Sequence, residues 1–210
     1  MTDIILDKRQ AIAFDFDGTL ISIEKRDYTV YCQILIKYDF EILDFDTYWT
    51  LRRNKEPIIN ILKINNQFEN DFLDIYIEER TKLIESNELL ALDTLFSYSI
   101  NILQKVQSNY NCYLVTSRNM KKETIEQIEQ LDLNKYFSKI IITEQNKLEG
   151  YTQIPNLVLI VGDTENDIIP ANILGIKSFA VTTGIRSSKF LTNLSPTYLS
   201  DTLFDILKII

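Results

Sequence analysis

Two acidic motifs contain the residues with the clearest chemical potential, FDFDGTL at residues 14–20 and VGDTEND at residues 161–167. Each follows a short apolar run. In extended backbone, residues two apart point the same way, so Asp15 and Asp17 would repel each other unless a cation or a shared proton lies between them. Carboxylate oxygens without histidine or cysteine select a hard cation. We therefore expect a Mg²⁺ site built on these motifs.

The second motif also places two acids close together. If Gly162 forms a turn and a helix begins near Thr164, Asp163 and Asp167 take adjacent positions at the end of a strand. Because the carboxyl ends of parallel strands meet at one edge of a sheet, where ligands bind, we expect both motifs to meet there.

Three further features suit a bound anion. Gly18 permits a tight turn whose backbone can approach a phosphate closely. Thr116 and Ser117 follow another apolar run just before an expected helix start, where free N–H groups accept phosphate. Lys147 lies between the third and fourth apolar runs and adds a positive charge.

Composition excludes several classes of protein. The 210 residues contain 22 Lys and Arg, 30 Asp and Glu and no histidine, for a net charge of −8. Without histidine there is no Ser-His-Asp hydrolase, imidazole-dependent cysteine protease, histidine-ligated zinc enzyme or histidine-phosphorylating phosphatase. The negative charge argues against nucleic-acid and membrane-surface partners. The two cysteines are far apart in the sequence, so we expect both thiols to be reduced. The sequence shows no signal-peptide or membrane-spanning pattern, so we expect a cytoplasmic protein.

The apolar pattern predicts an α/β fold. Continuous apolar runs separated by helical patterns are typical of a parallel sheet covered on both faces, that is, a three-layer Rossmann-like core. The expected strands lie at 11–14, 112–115, 140–142, 157–161 and 178–181. Asn119 and Asp201 are expected to cap the helices that follow them.

A long insertion follows the first expected strand. Residues 22–91 contain no glycine and a single proline, Pro57, whereas a crossover between parallel strands needs only about a dozen residues. We expect a small all-helical cap domain here, and a core formed by 1–21 and 92–210. The expected cap helices lie near 24–38, 46–53, 57–65 and 69–86, and the expected linkers near 20–24 and 89–93.

Taken together, the motifs resemble those of the haloacid dehalogenase superfamily. FDFDGTL is similar to its first motif, Thr116 to its second, Lys147 to its third and VGDTENDI to its fourth. Lys139 is a poorer alternative for the third motif, because it would enter a strand rather than leave one. The insertion after the first motif, with ANILGIKSFAVTTG at 171–184, resembles the phosphoglycolate phosphatase-like group with a helical cap.

The resemblance implies a phosphatase mechanism. Asp15 would attack phosphorus to form an aspartyl-phosphate, while Asp17 would protonate the leaving oxygen and then accept a proton from water. Mg²⁺ would be held by Asp15, the backbone carbonyl of Asp17 and Asp163, with Asp167 as a further ligand or as its support. The dehalogenases of this superfamily lack an aspartate at the position of Asp17, so the resemblance does not imply dehalogenation.

The same resemblance implies how the phosphoryl group would be held. Thr116 and Lys147, with backbone N–H groups near Gly18 and Ser117, would bind its oxygens. Arg53 in the cap is the expected substrate contact, whereas Arg118 is expected on the surface.

The expected substrate is a small soluble phosphorylated metabolite, and the protein is expected to be a monomer or homodimer. Hydrolysis of nucleotides or pyrophosphate on the same scaffold, and a non-catalytic phosphometabolite-binding protein, are the alternatives. Sugar phosphomutases that rely on a cap histidine do not fit a chain without histidine.

Overall fold

The strands form one large sheet and one small ribbon in the computed structural model, which describes residues 9–68 and 71–210. In chain order they are β1 (Ala11–Phe14), β2 (Ile21–Ser22), β3 (Thr94–Leu95), β4 (Asn111–Ser117), β5 (Lys139–Thr143), β6 (Leu157–Gly162), β7 (Lys177–Val181) and β8 (Tyr198–Ser200). Six parallel strands make the sheet in the order β5-β4-β1-β6-β7-β8, and β2 pairs antiparallel with β3.

Helices connect most of the strands. They are α1 (Glu24–Lys37), α2 (Phe45–Arg53), α3 (Ile58–Leu62), α4 (Asp71–Leu83), α5 (Asn87–Leu90), α6 (Ser99–Val106), α7 (Lys121–Gln130), α8 (Lys147–Thr152), α9 (Glu165–Leu174) and α10 (Ser188–Thr192). Short 3₁₀-helices cover Asn134–Tyr136 and Leu203–Lys208. In the described part of the chain, no helix combines the length and apolar character that crossing a membrane requires.

Alternate side chains of the sheet pack into two separate cores. Ile12 and Phe14 of β1 face a core completed by α6, α7 and the last 3₁₀-helix. Ala11 and Ala13 of the same strand face a second core completed by α8 and α9. The period-2 alternation therefore buries both faces of β1 between helical layers, and the predicted three-layer α/β core is confirmed.

The predicted strands all coincide with observed ones, but β2, β3 and β8 were not predicted, because two or three residues are too few to form an apolar run. Two predicted helix caps are wrong. The helix after β4 begins at Lys121, and the backbone N–H of Asn119 instead donates to Glu85. The last helix is a 3₁₀-helix capped by Thr202, whose hydroxyl accepts a bond from the next turn, so Asp201 lies outside it.

The insertion after β1 consists of helices α1 to α5 with a core of its own. This core is apolar and aromatic; it includes Val30, Tyr31, Ile34, Leu35, Tyr48, Trp49, Leu62, Phe72 and Tyr76. The expected start of the fourth helix at Glu69 lies outside the described residues. Because β2 and β3 pair with each other, the two ends of the insertion lie side by side, and we propose this ribbon as the boundary of a cap domain.

Candidate active site

The end of β1 places Asp15 at the carboxyl edge of the sheet. The N–H of Asp15 donates to the carbonyl of Val161 at 2.8 Å, which extends the pairing of β1 with β6 by one residue. The chain then turns tightly, with Gly18 at φ +75°. The turn leaves the Asp15 side chain buried, with 3% of its surface exposed.

Asp15, Asp163 and Asp167 form a buried acidic cluster whose carboxylate oxygens lie within 4.8 Å of one another. The Nζ atom of Lys147 lies 2.5 Å from Asp15 and 2.8 Å from Asp167. One ammonium against three carboxylates leaves two negative charges in excess when all are ionised. Burial and the neighbouring Asp167 hold the pKa of Asp15 above its ordinary value, although Lys147 lowers it. The cluster is therefore suited to a divalent cation.

The two acids of the second motif have different surroundings. Asp167 accepts from Lys147 and from the Tyr151 hydroxyl at one oxygen, and from the N–H and hydroxyl of Thr164 at the other. Asp163 accepts from the N–H of Ile185 at 2.7 Å. Because four donors occupy the oxygens of Asp167, its geometry suits a support for Lys147, and Asp163 is the freer metal ligand.

Glycines allow the backbone to pass close to these carboxylates. A Cβ atom on Gly18 would lie 2.4 Å from an oxygen of Asp163, and one on Gly184 would lie 1.9 Å from the same oxygen. A Cβ atom on Gly162 would lie 2.1 Å from the carboxyl carbon of Asp167. Any larger residue at these three positions would displace a carboxylate of the cluster.

Thr116 and Ser117 lie at the end of β4, beside β1. The Thr116 side chain is buried, and its hydroxyl has no hydrogen-bond partner among residues 9–68 and 71–210. Buried hydroxyls are nearly always paired, so this one suits the oxygen of a bound ligand. The Ser117 hydroxyl instead donates to the carbonyl of Glu144 at 3.1 Å.

The Asp17 carboxylate binds two arginines and does not take part in the acidic cluster. Arg26 of α1 donates to one oxygen, and Arg118 donates to both oxygens at 2.8 and 2.6 Å. Although burial raises it, the pKa of Asp17 is held well below its ordinary value by Arg118 and Arg26. The prediction that Arg118 is a surface residue is wrong, because only 2% of it is exposed.

A second layer of polar groups holds both arginines in place. Asp93, which immediately precedes β3, accepts from Arg26 at 3.0 Å and from the amide of Gln127 at 2.9 Å. Gln127 in turn accepts from Arg118 at 2.7 Å. Burial raises the pKa of Asp93 to about 6. Residues from both ends of the insertion therefore meet at Asp17.

Arg53 joins the insertion to the core. Its guanidinium donates to the carbonyl of Thr182 at 2.6 Å, and its own carbonyl accepts from the N–H of Ser187 at 2.8 Å. Nearby, Glu165 pairs with Lys55 and with Arg186. In the described part of the chain the Nε atom of Arg53 is buried without a hydrogen-bond partner, so its expected role as a substrate contact stays a prediction.

The sequence comparison decides the family. The family model for haloacid dehalogenase-like hydrolases matches residues 12–181, which contain both acidic motifs. The chain belongs to this family. The expected relationship to haloacid dehalogenase-like hydrolases is thereby confirmed.

Relatives and solved structures agree with this membership. Pyrophosphatase PpaX of Oceanobacillus iheyensis is 22% identical and aligns over 96% of both chains. The haloacid dehalogenase-like hydrolase SP0104 from Streptococcus pneumoniae has a TM-score of 0.79 at 20% identity, covering 96% of this chain and 98% of its own. A predicted phosphoglycolate phosphatase from Haemophilus somnus 129PT has a TM-score of 0.74 at 18% identity, with coverage of 97% and 99%.

Several residues of the site were not predicted for this haloacid dehalogenase-like hydrolase. Arg26 contacts Asp17 and Tyr151 contacts Asp167, while Asp93 contacts Arg26, and all three side chains are buried. No local pattern distinguishes them, because each contact depends on how a helix or linker packs on the sheet. A role for Arg118 in the site could have been inferred from the sequence, because this residue directly follows Thr116 and Ser117 at a strand end.

The acidic cluster predicts how the stability of this haloacid dehalogenase-like hydrolase depends on pH. Burial and Asp167 raise the pKa of Asp163 from 3.8 to about 7. Between these values the folded protein keeps a proton that the unfolded chain releases, so metal-free stability falls as pH rises. We expect Asp163→Asn to have a higher Tm than wild type at pH 8, by about 2–4 °C for each kcal/mol of unfolding free energy that the substitution restores. We also expect this variant to lose any stabilisation by Mg²⁺.

Thermal unfolding of both proteins from pH 5 to pH 8, with and without Mg²⁺, measures this effect. The difference between the two proteins reports Asp163 together with its effect on the pKa of Asp15, and it leaves out the separate carboxyl group of Asp93. The prediction would be contradicted if Tm changed with pH equally in the two proteins, or if Mg²⁺ raised the Tm of both by the same amount.

Proposed function

We propose that the protein is a Mg²⁺-dependent phosphatase that hydrolyses a small soluble phosphate monoester through an aspartyl-phosphate on Asp15. The observation that carries this proposal is the position of Asp15, buried beside Asp163 and Lys147 in a cluster that sets three carboxyl groups against one ammonium group. The unpaired hydroxyl of Thr116, on the neighbouring strand, supports a phosphoryl-binding role for the same edge of the sheet.

The donor set fits a magnesium ion. Asp15 and Asp163 would hold it together with the backbone carbonyl of Asp17, and Asp167 would orient Lys147. Magnesium usually takes only one or two carboxylates from a protein and keeps several waters, in agreement with this set. When bound, the ion would offset the charge of Asp15 and of the phosphoryl oxygens.

The phosphoryl group is transferred to the side chain of Asp15 and then to water. A carboxylate oxygen of Asp15 forms a bond to phosphorus as the ester oxygen departs, and water later displaces Asp15 at phosphorus. Lys147, the Thr116 hydroxyl and backbone N–H groups next to Gly18 and near Ser117 bind the phosphoryl oxygens, whereas the N–H of Gly18 itself donates to the carbonyl of Ile21 at 2.8 Å. These donors are fixed before the substrate arrives, which favours stabilisation of the transition state.

Asp17 is the proton carrier in this proposal. Its carboxyl group protonates the departing ester oxygen and then accepts a proton from the attacking water. Arg26 and Arg118 favour the ionised form, which suits the second step. The first step requires a protonated carboxyl group, so we infer that substrate binding loosens one of these two ion pairs.

A metal-dependence assay tests the proposed function. The purified protein is treated with EDTA and assayed with phenyl phosphate, and Mg²⁺, Mn²⁺ or Ca²⁺ is then added back. We expect hydrolysis to disappear with EDTA and to return with Mg²⁺. Full activity in EDTA would exclude the proposed metal-dependent mechanism.

Pyrophosphate hydrolysis is the second candidate, because the relative from Oceanobacillus iheyensis is a pyrophosphatase. The two arginines beside Asp17 also offer donors to a second phosphate. Comparing kcat/KM for pyrophosphate and for a panel of phosphate monoesters separates the two candidates. A clear preference for pyrophosphate would replace the monoester in the proposal while leaving the role of Asp15 unchanged.

A further inference from the structure

We propose that Tyr151 is a positioning residue for phosphate binding, because its hydroxyl fixes Asp167, and Asp167 directs the ammonium group of Lys147 toward the phosphoryl group. This inference rests on the proposed phosphatase function. Tyr151 lies in α8, is 1% exposed and donates its hydroxyl to Asp167 at 2.8 Å. The same carboxylate oxygen accepts from Lys147 at 2.8 Å. One oxygen therefore joins the tyrosine to the lysine.

Two carboxylates hold the ammonium group of Lys147. Its Nζ atom lies 2.5 Å from Asp15 and 2.8 Å from Asp167. Although burial lowers it, the pKa of Lys147 is held above its ordinary value by these two acids, so the group stays charged. An ammonium group has three N–H donors, and two fixed acceptors set the direction of the third. The direction of the donor that would bind a phosphoryl oxygen thus depends on the position of Asp167.

Donors other than Lys147 fix both oxygens of Asp167. One oxygen accepts from the N–H and the hydroxyl of Thr164 at 3.2 and 2.8 Å, and the other accepts from Tyr151. Burial and the charges of Asp167 and Asp15 raise the pKa of Tyr151 well above its ordinary value, so the phenol keeps its proton and donates it. Without this hydroxyl, the full charge of the second oxygen would draw the ammonium group of Lys147 toward Asp167 and away from a phosphoryl group.

Helix α8 brings Lys147 and Tyr151 to the same carboxylate. The two residues are four apart in the chain, so they lie on one face of the helix. Gly150 allows this helix to pack closely on the sheet, because a Cβ atom there would lie only 3.1 Å from the side chain of Val115. The close packing places both side chains within hydrogen-bond distance of Asp167.

The ring and the hydroxyl of Tyr151 have separate surroundings. The ring belongs to the second core of the sheet, together with Val115, Ile141, Ile154 and Ile160. Phenylalanine would keep this apolar packing and remove only the hydroxyl. The Tyr151→Phe protein is therefore expected to fold, and it isolates the hydrogen bond to Asp167.

A positioning role and a merely structural role of the hydroxyl affect different ligands. If the hydroxyl acts through Lys147, its loss weakens phosphate binding but not Mg²⁺ binding, because Asp15, Asp163 and the backbone carbonyl of Asp17 would hold the ion without the lysine. If the hydroxyl only supports the shape of the whole acidic cluster, its loss weakens both ligands together. The ratio of the two effects therefore distinguishes the roles.

The test measures three quantities in the wild type and in Tyr151→Phe. We expect kcat/KM for phenyl phosphate to fall roughly tenfold in the variant, the scale of one hydrogen bond to a charged group. The Kd of inorganic phosphate, from calorimetric titration in Mg²⁺, should rise by a similar factor. The Kd of Mg²⁺, from the increase of Tm with Mg²⁺ concentration, should rise by less than twofold.

Tyr136→Phe is the matched control. Tyr136 is also buried, and its hydroxyl accepts from the side-chain amide of Gln104 at 3.4 Å. It lies in the 3₁₀-helix before β5, at the opposite edge of the sheet from the acidic cluster. This variant makes the same chemical change and should leave all three quantities at their wild-type values.

The outcomes separate this proposal from the proposed function. Hydrolysis by the wild type with a phosphate Kd that stays within twofold in Tyr151→Phe would overturn the positioning role and leave the phosphatase function intact. Equal weakening of phosphate and Mg²⁺ would overturn it as well. If the wild type hydrolyses no ester, the phosphatase function fails, and the phosphate titration decides the role of Tyr151. Phosphate binding that weakens in Tyr151→Phe without a loss of Mg²⁺ affinity supports it, whereas unchanged binding, or no binding to the wild type, overturns it.

Discussion

We expect Asp15→Asn to lower kcat for phosphate-ester hydrolysis by at least about 10⁴-fold, the scale of removing a covalent nucleophile. The amide nitrogen and oxygen of asparagine cannot form a hydrolysable acyl-phosphate. The substitution is nearly isosteric, and Lys147 retains its bond to Asp167, so the fold is expected to survive. Steady-state and single-turnover rates with phenyl phosphate measure the loss.

The matched control is Asp132→Asn. Asp132 is an exposed residue at φ +55°, a backbone conformation that asparagine adopts readily, so this variant makes the same chemical change far from the site. It should keep wild-type rates. Retention of hydrolysis within tenfold in Asp15→Asn would show that another group attacks phosphorus.

The second large effect is expected from Asp17→Asn. Removing a general acid and base lowers the rate by about 10²–10⁴-fold when the leaving oxygen needs a proton. We therefore expect kcat/KM to fall far more for an n-alkyl phosphate than for 4-nitrophenyl phosphate, whose leaving group departs as a stable anion without a proton. Rate measurements on both esters give the effect as a ratio, which is insensitive to a loss of active protein.

Folding of this variant needs a separate check, because asparagine leaves Arg118 and Arg26 without their charged partner at position 17. Asp93 still pairs with Arg26, so we expect a lower Tm rather than an unfolded protein. Equal losses of kcat/KM on the alkyl and nitrophenyl esters would mean that Asp17 does not protonate the leaving oxygen, because kcat/KM covers only the steps up to release of the leaving group.

The sequence was sufficient to locate the acidic cluster. Asp15 and Asp163 follow apolar runs that form neighbouring parallel strands, and such strands end at the same edge of a sheet. Lys147 could be placed only by its order in the chain, and the structure brings it to Asp15 because α8 begins at that residue. Local pattern and chain order together therefore predicted which residues would meet.

The contacts between the insertion and the core could not be predicted from the sequence. Arg26 and Arg53 lie on helices whose sequences contain many charged residues, and nothing local shows which side chain faces the core. Their partners are distant in sequence, so the contacts arise only when the insertion packs on the sheet. Arg118 was assigned to the surface because arginine is rarely buried unless it is paired, and its partner Asp17 lies 101 residues away.

Chemical trapping of the phosphorylated residue tests the central claim most directly. The protein with Mg²⁺ is mixed with phenyl phosphate, quenched in acid and reduced with borohydride, which converts an aspartyl-phosphate into homoserine. We predict that peptide mass spectrometry finds homoserine at position 15, and none in the Asp15→Asn protein. Turnover without homoserine at position 15, or with homoserine at another aspartate, would contradict the proposed mechanism.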